Sequence, residues 1–460
     1  MNSSSAQIVI CGAGIAGVAA AYFLAVEHGI SDIVLIDQGA PLSLTSDKST
    51  ECYRNWWPGP GDTMVRLMNR SIDLLEGIAN ASNNAIRLNR RGYVYATARP
   101  EQVAVLIAAA EEAATLGAGP LRIHDGRPGA PPYQPAEPHG YASPLDGADL
   151  ITDRALIRAH FPYLADDVVA VLHARRCGWL SAQQLGMYML EAARERGVRL
   201  VRGTLTSVDV RDGQVEAVQV ANEGTPQTIT TRCFVNAAGP MLGQVARMLG
   251  VELPIFSERH IKIAFNEHLG AVPRDAPMLI WLDPVTLPWD ADERAALADD
   301  PDTAWMLNPL PAGVHCRPEG HAGGSVLLIL WNFHLDPVEP TFPVQVEEYY
   351  PELALRGMSV MLPGLARYID RAPKPYIDGG YYTKTPENRP LVGPLPVGGA
   401  YVIGALSGYG LMAACAAGEL LAAHITGAPL PSYAPALTLA RYDDPAYQEL
   451  LEHWGDAGQL

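Results

Sequence analysis

Cysteine is scarce in this chain of 460 residues: six, at positions 11, 52, 177, 233, 316 and 415, with no CxxC pair. Such scatter argues against a disulfide framework or a zinc site and fits reduced, structural thiols, as in a cytoplasmic protein. Positive charge is also short. Against 50 Asp and Glu stand 33 Lys and Arg, for a net charge of −17, so nucleic acid and anionic membrane would be repelled. A secretory leader is not expected, because the polar start Met1 to Gln7 runs into a strand broken by glycines. Nor is a membrane span: 103–114 is too short, and 401–427 contains Glu419, His424 and several glycines. Fixed-period repeats, low-complexity tracts, metal-ligand clusters and a Ser/His/Asp order are lacking as well. What remains is 48% hydrophobic and 18% charged, a globular composition with length enough for two domains.

The informative residues begin at Ile8. A β-branched strand, Ile8 to Ile10, leads into Gly12-Ala13-Gly14-Ile15-Ala16-Gly17, an apolar helix from Val18 to Val26, and a second strand from Ile33 to Ile36 that closes on Asp37 and Gln38. This is the pattern of a dinucleotide-binding βαβ unit. Gly12 makes the tight turn, Gly14 lets the backbone approach a pyrophosphate, Gly17 lets helix and strand pack closely, and the helix N-terminus attracts phosphate charge. Asp37 is placed to grip a ribose hydroxyl, and its charge disfavours the 2′-phosphate of NADP. NAD and FAD remain. A later strand, Cys233 to Asn236, ends in Ala237-Ala238-Gly239-Pro240, and near the C-terminus Tyr401 to Gly404 runs through Ala405-Leu406-Ser407-Gly408-Tyr409-Gly410 into a helix beginning at Leu411. A dinucleotide clamped from both ends of the chain is expected for FAD, since a simple NAD domain does not need the C-terminal element.

Taken in order, these motifs resemble the D-amino acid oxidase family of flavoproteins, which includes monomeric sarcosine oxidase, glycine oxidase and D-amino acid dehydrogenase. The likeness also rests on Ser49-Thr50-Glu51-Cys52-Tyr53-Arg54 and on the run from Tyr381-Tyr382-Thr383-Lys384-Thr385-Pro386 to Gly393-Pro394. It implies an α/β fold, with a Rossmann-like FAD domain and a mixed-sheet α+β substrate domain. The FAD domain would be discontinuous (1–80, 152–255 and 376–427), the substrate domain would take 81–151 and 256–375, and 428–460 would form a tail. Within the substrate domain, 126–147 reads as a loop, 258–265 and 325–333 as strands, and 283–324 as an insertion: a lid, an interface or a surface excursion.

The resemblance further implies that Thr45, Ser46, Ser49 and Thr50 wrap the FAD phosphates and lead toward the flavin. The turn Ser407 to Gly410 would face the pyrimidine edge of the ring, where a helix dipole stabilises the reduced anion. Arg54, Tyr382, Tyr409 and Lys262 are the candidates for the substrate side, with Arg389 and His260 as further anchors. Gly380 stands where monomeric sarcosine oxidase has the cysteine that bonds to its flavin, so FAD is expected to be non-covalent. The implied reaction is oxidation of a C–N bond in a small amino acid or a secondary or N-methyl amine, with oxygen or a quinone as electron acceptor. The 325–333 strand lacks the lysine that activates oxygen in monomeric sarcosine oxidase, which favours a quinone or an artificial acceptor. Two rival readings are a 2-hydroxy acid dehydrogenase, with His260 or His334 as base, and the flavin subunit of a hetero-oligomer docking through 283–324.

Overall fold

A computed structural model describes residues 2–454 except 58, 223–224, 321–322, 370 and 372. The end of the expected tail, 455–460, therefore lies outside the described residues. Alternation along the first strand, Ile8–Cys11, sets the layers. Ile8 and Ile10 face a core shared with helices Ile15–Tyr22, Thr63–Ala81, Ala182–Glu195 and Gly410–Thr426, while Val9 and Cys11 face the opposite core. That second core is closed by a four-stranded sheet of Asn2–Ser5, Thr225–Thr230, Gln214–Asn222 and Thr204–Arg211. Period-two burial of this kind gives both faces of a central sheet a partner.

The central sheet has six strands, in the order Arg199–Arg202, Ile33–Asp37, Ile8–Cys11, Phe234–Asn236, Ala400–Gly404, Leu391–Pro394. The first five pair in parallel and the last is antiparallel. The chain leaves Ile8–Cys11 toward one side and returns to the sheet on the other, so a crevice opens beyond the carboxyl ends of these strands. The 407–426 helix is long and apolar enough to cross a bilayer by composition, but most of it is buried within the protein.

A nine-stranded mixed sheet forms the second body, in the order Tyr376–Lys384, Phe256–Asn266, Val326–Leu330, His315–Pro318, Met278–Trp281, Tyr93–Thr97, Ala170–Ala174, Ala148–Ile151, Leu121–His124. Ala170–Ala174 and Tyr376–Lys384, which the sequence division places with the nucleotide segments, pair within this sheet. The stretch read as an insertion contributes a strand to its middle, His315–Pro318, as well as the outlying helix Ala291–Asp299. One face of the sheet packs Ile261, Ile263, Leu327, Ile329, Cys316 and Leu279 onto helix Tyr350–Met361 and its neighbours. By the same alternation the other face presents Glu258, His260, Lys262, Leu330, His315, Met278 and Tyr93 toward the body built on the six-stranded sheet.

Candidate functional site

Two cavities meet at the junction. The first, about 890 Å³ including its open mouth, is a cleft beyond the ends of the parallel strands, lined by Gly12, Gly14, Ile15, Ala16, Asp37, Thr45, Ser46, Ser49, Ala238, Gly239, Gly404, Ser407, Gly408, Gly410 and Leu411. The glycines meet the geometric demands placed on them. A Cβ on Gly12 would stand 2.3 Å from the Ala237 carbonyl oxygen, and one on Gly17 would stand 1.9 Å from the Gly12 carbonyl oxygen. Gly14 is different, because its Cβ would meet only the Ser46 hydroxyl, at 3.1 Å; bareness there keeps the cleft open more than it keeps the fold closed. The Asp37 carboxylate accepts from the Ala13 amide at 2.7 Å and the Gly39 amide at 2.8 Å. The Ser46 hydroxyl accepts from the Ile15 amide at 2.9 Å at the start of the helix.

These residues fit a dinucleotide. The Thr45 hydroxyl is buried in the cleft wall and has no hydrogen-bond partner among the described residues, a condition a ligand phosphate or hydroxyl would relieve. Gln38 is exposed beyond the strand end and does not line the cleft, and Gly17 serves helix packing. Thr50 lines the second cavity instead.

That second cavity, about 1590 Å³ including its open mouth, joins the first at Tyr382 and Gly408. Its floor is the polar face of the nine-stranded sheet, crossing from Lys384 and Tyr382 through Glu258, His260, Leu330 and His315 to Met278 and Tyr93. Arg54, Trp57, Tyr409 and Met412 also line it. Arg54 is buried, donates to the Tyr95 hydroxyl at 2.8 Å and stacks 4.7 Å from the Trp57 ring. Among the described residues no carboxylate pairs with it. Beside Tyr382, its partner across the strands, Glu258 takes an ion pair from Lys384 at 2.7 Å and a hydrogen bond from His260 at 3.3 Å. Burial opposes ionisation of Glu258, but the bonds from His260 and Lys384 outweigh it and hold the carboxyl below its ordinary range.

The tyrosines divide. The Tyr409 hydroxyl donates to the Asn388 carbonyl at 2.8 Å, and its ring meets Trp57 edge-on, so it serves as wall. The Tyr382 ring lies 3.7 Å from the His260 ring, stacked on it, and its hydroxyl has no partner among the described residues. Lys262 lines neither cavity; its ammonium donates to the Ser49 carbonyl at 3.0 Å. Arg389 reaches the Pro60 carbonyl and Trp454 around a separate small cavity, and His334 is exposed against Trp305. Neither of these reaches the main site. Glu258, Lys384 and His315 were missed as site residues. The alternation of 256–266 could have shown that Glu258 shares a face with His260, but His315 sits on a strand only four residues long.

The family model described as FAD dependent oxidoreductase, DAO, matches residues 7–424. Among curated proteins, the mitochondrial dimethylglycine dehydrogenase of Homo sapiens is 23% identical over 67% of this chain and 33% of its own length. The sarcosine oxidase subunit beta of Rhizobium meliloti is 24% identical over 56% of this chain and 55% of its own. The match thus spans about a third of the dimethylglycine dehydrogenase and about half of the sarcosine oxidase subunit. Among solved structures, L-proline dehydrogenase from P. horikoshii superposes with a TM-score of 0.73 at 18% identity, covering 96% of this chain and 99% of that one. Glycine oxidase from Geobacillus kaustophilus superposes at 0.71 and 15% identity, with coverage of 96% and 99%. These two likenesses show a shared fold.

Proposed function

The chain belongs to the DAO family of FAD-dependent oxidoreductases, and from that premise we propose that it oxidises the C–N bond of a small amino acid or an N-methyl or other secondary amino acid. The observation that carries this reading is Arg54: a buried guanidinium, without a carboxylate partner among the described residues, in a cavity that opens onto the nucleotide cleft. A buried charge costs several kcal/mol unless it is paired, and a substrate carboxylate supplies both the counter-charge and a planar match to the fork. Tyr382, at the junction of the cavities with its hydroxyl available, orients the substrate toward the cofactor.

When bound, FAD would supply the acceptor for a hydride from the carbon beside the substrate nitrogen, leaving an iminium ion that water hydrolyses. The cleft residues would hold the dinucleotide, and the N-terminus of Gly410–Thr426, beside Gly408 where the two cavities join, would favour the negative charge that the group takes up on reduction. Trp57, Tyr409, Met412 and Leu330 give the cavity a largely apolar wall against which the substrate carbon chain would lie. The bases named for the rival hydroxy-acid reaction are poorly placed. His260 Nε2 is engaged by Glu258 and Asn332, its Nδ1 is buried, and His334 is exposed.

The test is binding of an amine-free carboxylate such as propionate, followed by the perturbation of the flavin spectrum. Arg54→Gln is expected to weaken binding by roughly 10- to 100-fold, the worth of a charged hydrogen-bonded contact. Equal binding by parent and variant would place the carboxylate elsewhere and remove the support for an amino acid substrate.

A further inference from the structure

His315 lies on the strand His315–Pro318, between Met278–Trp281 and Val326–Leu330, where its register partners are the apolar Ile280 and Leu330. Its Nδ1 is 2.7 Å from the Gly313 carbonyl oxygen. A carbonyl can only accept, so the ring hydrogen sits on Nδ1 and Nε2 carries a lone pair. Among the described residues Nε2 has no hydrogen-bond partner, and the ring lines the cavity that contains Arg54. Burial lowers the basicity of the ring, the Gly313 bond offsets part of that, and the nearby His260 and Arg54 lower it further, to about 4. The site therefore contains an acceptor that stays neutral, beside a cation that calls for a carboxylate.

We propose that His315 Nε2 accepts a hydrogen from the substrate nitrogen while Arg54 holds the carboxylate, so that the site selects primary and secondary amino acids over tertiary ones. This inference rests on the amine-oxidising reading above. Hydride loss from the neighbouring carbon is driven by the nitrogen lone pair, which must be neither protonated nor tied up by a donor. A permanent acceptor meets that condition: it takes the N–H, fixes the rotation of the amine and leaves the lone pair free. A neutral primary or secondary amine keeps such a hydrogen, whereas a neutral tertiary amine has none to give.

The test uses FAD-loaded protein, anaerobic stopped-flow reduction, and glycine and alanine with their N-methyl, N-ethyl and N,N-dimethyl derivatives. The N-ethyl and N,N-dimethyl compounds are isomers, so their comparison separates loss of the hydrogen from added bulk. In the parent protein the N-ethyl compounds are expected to reduce the flavin about 10- to 100-fold faster than their N,N-dimethyl isomers. His315→Leu should slow the N–H substrates by about the same factor and bring the isomer ratio toward one, with propionate binding unchanged. His315→Gln, which restores an acceptor oxygen, should recover part of the ratio. Flavin content and thermal midpoint identify any variant that fails to fold, in which case the parent isomer ratio decides. A ratio near one in the parent, or an undiminished ratio in His315→Leu, would overturn the proposal while leaving Arg54 and amine oxidation in place. Failure of every amine to reduce the parent flavin would overturn the amine-oxidising reading and this inference with it.

Discussion

Gly12 and Gly14 are two residues apart and lack a side chain for different reasons. Gly12 has φ +109° and the Ala237 backbone against it, so Gly12→Ala forces the backbone to move and is expected to cost the fold itself. The Cβ position of Gly14 faces only Ser46. Gly14→Val should therefore remain folded, by circular dichroism and thermal midpoint, while losing the yellow colour, because the added methyls occupy the pyrophosphate approach. Retention of full FAD by a folded Gly14→Val protein would show that the motif has been misread. Asp37→Ala should also lose FAD, with a lower thermal midpoint because the Ala13 and Gly39 amides lose their acceptor. Gly380 supports a third expectation. It lies against Thr45 and Lys48 in the strand beside the cleft and offers no thiolate, so acid precipitation should release the FAD to the supernatant; flavin retained in the pellet would contradict this.

The elements differ in how plainly the sequence announces them. Ile8–Cys11, Ile33–Asp37 and Ala400–Gly404 were legible because turn, helix and strand follow one another locally and each glycine has a single steric task. The strand His315–Pro318 was hidden: four residues, HCRP, carry no alternation that period alone can resolve, and their partners lie elsewhere in the chain. For the same reason the burial of Arg54 was legible only as a possibility, since Tyr95 and Trp57 come together with it through tertiary packing. The loop 126–147 has the composition expected of a loop, but its anchoring could not be read. Arg90 holds the Leu145 carbonyl, Arg91 the Pro138 carbonyl, His124 the Pro131 carbonyl and Arg122 the Asp146 carbonyl.

Behind that loop, buried Asp149 accepts from Arg122, His124 and Arg175. Burial opposes ionisation of Asp149, yet Arg122 and the other two donors outweigh it and hold the carboxyl far below its ordinary range. A depressed carboxyl contributes stability that is present above its unfolded value near about 3.9 and is lost as pH falls through the folded one. Asp149→Asn leaves buried cations uncompensated and should cost about 3–5 kcal/mol in denaturant unfolding at neutral pH. The difference from the parent should shrink below about pH 4; a constant difference across that range would place the stabilisation elsewhere.

At the scale of the whole molecule, the cleft beyond the parallel strands and the cavity over the polar face of the nine-stranded sheet meet at Tyr382 and Gly408, and the proposed reaction belongs to the space they share. The cations around that space are engaged: Lys384 with Glu258, Lys262 with the Ser49 carbonyl, and Arg54 with Tyr95 and the expected carboxylate. Oxygen reduction gains from a preorganised positive charge, worth on the order of 100-fold in rate. Reduced protein is therefore expected to reoxidise more slowly in oxygenated buffer than with a soluble quinone, and stopped-flow absorbance compares the two directly. Oxygen reoxidation as fast as turnover, with matching hydrogen peroxide, would instead identify an oxidase. The central claim, that this chain removes a hydride from the carbon beside an amino acid nitrogen, is tested most directly by anaerobic titration of the FAD-loaded protein with small amino acids, their N-methyl derivatives, carboxylate-free amines and 2-hydroxy acids. Bleaching of the flavin by amino acids bearing both a carboxylate and an N–H is the predicted result; bleaching by 2-hydroxy acids with none by the amino acids would contradict it.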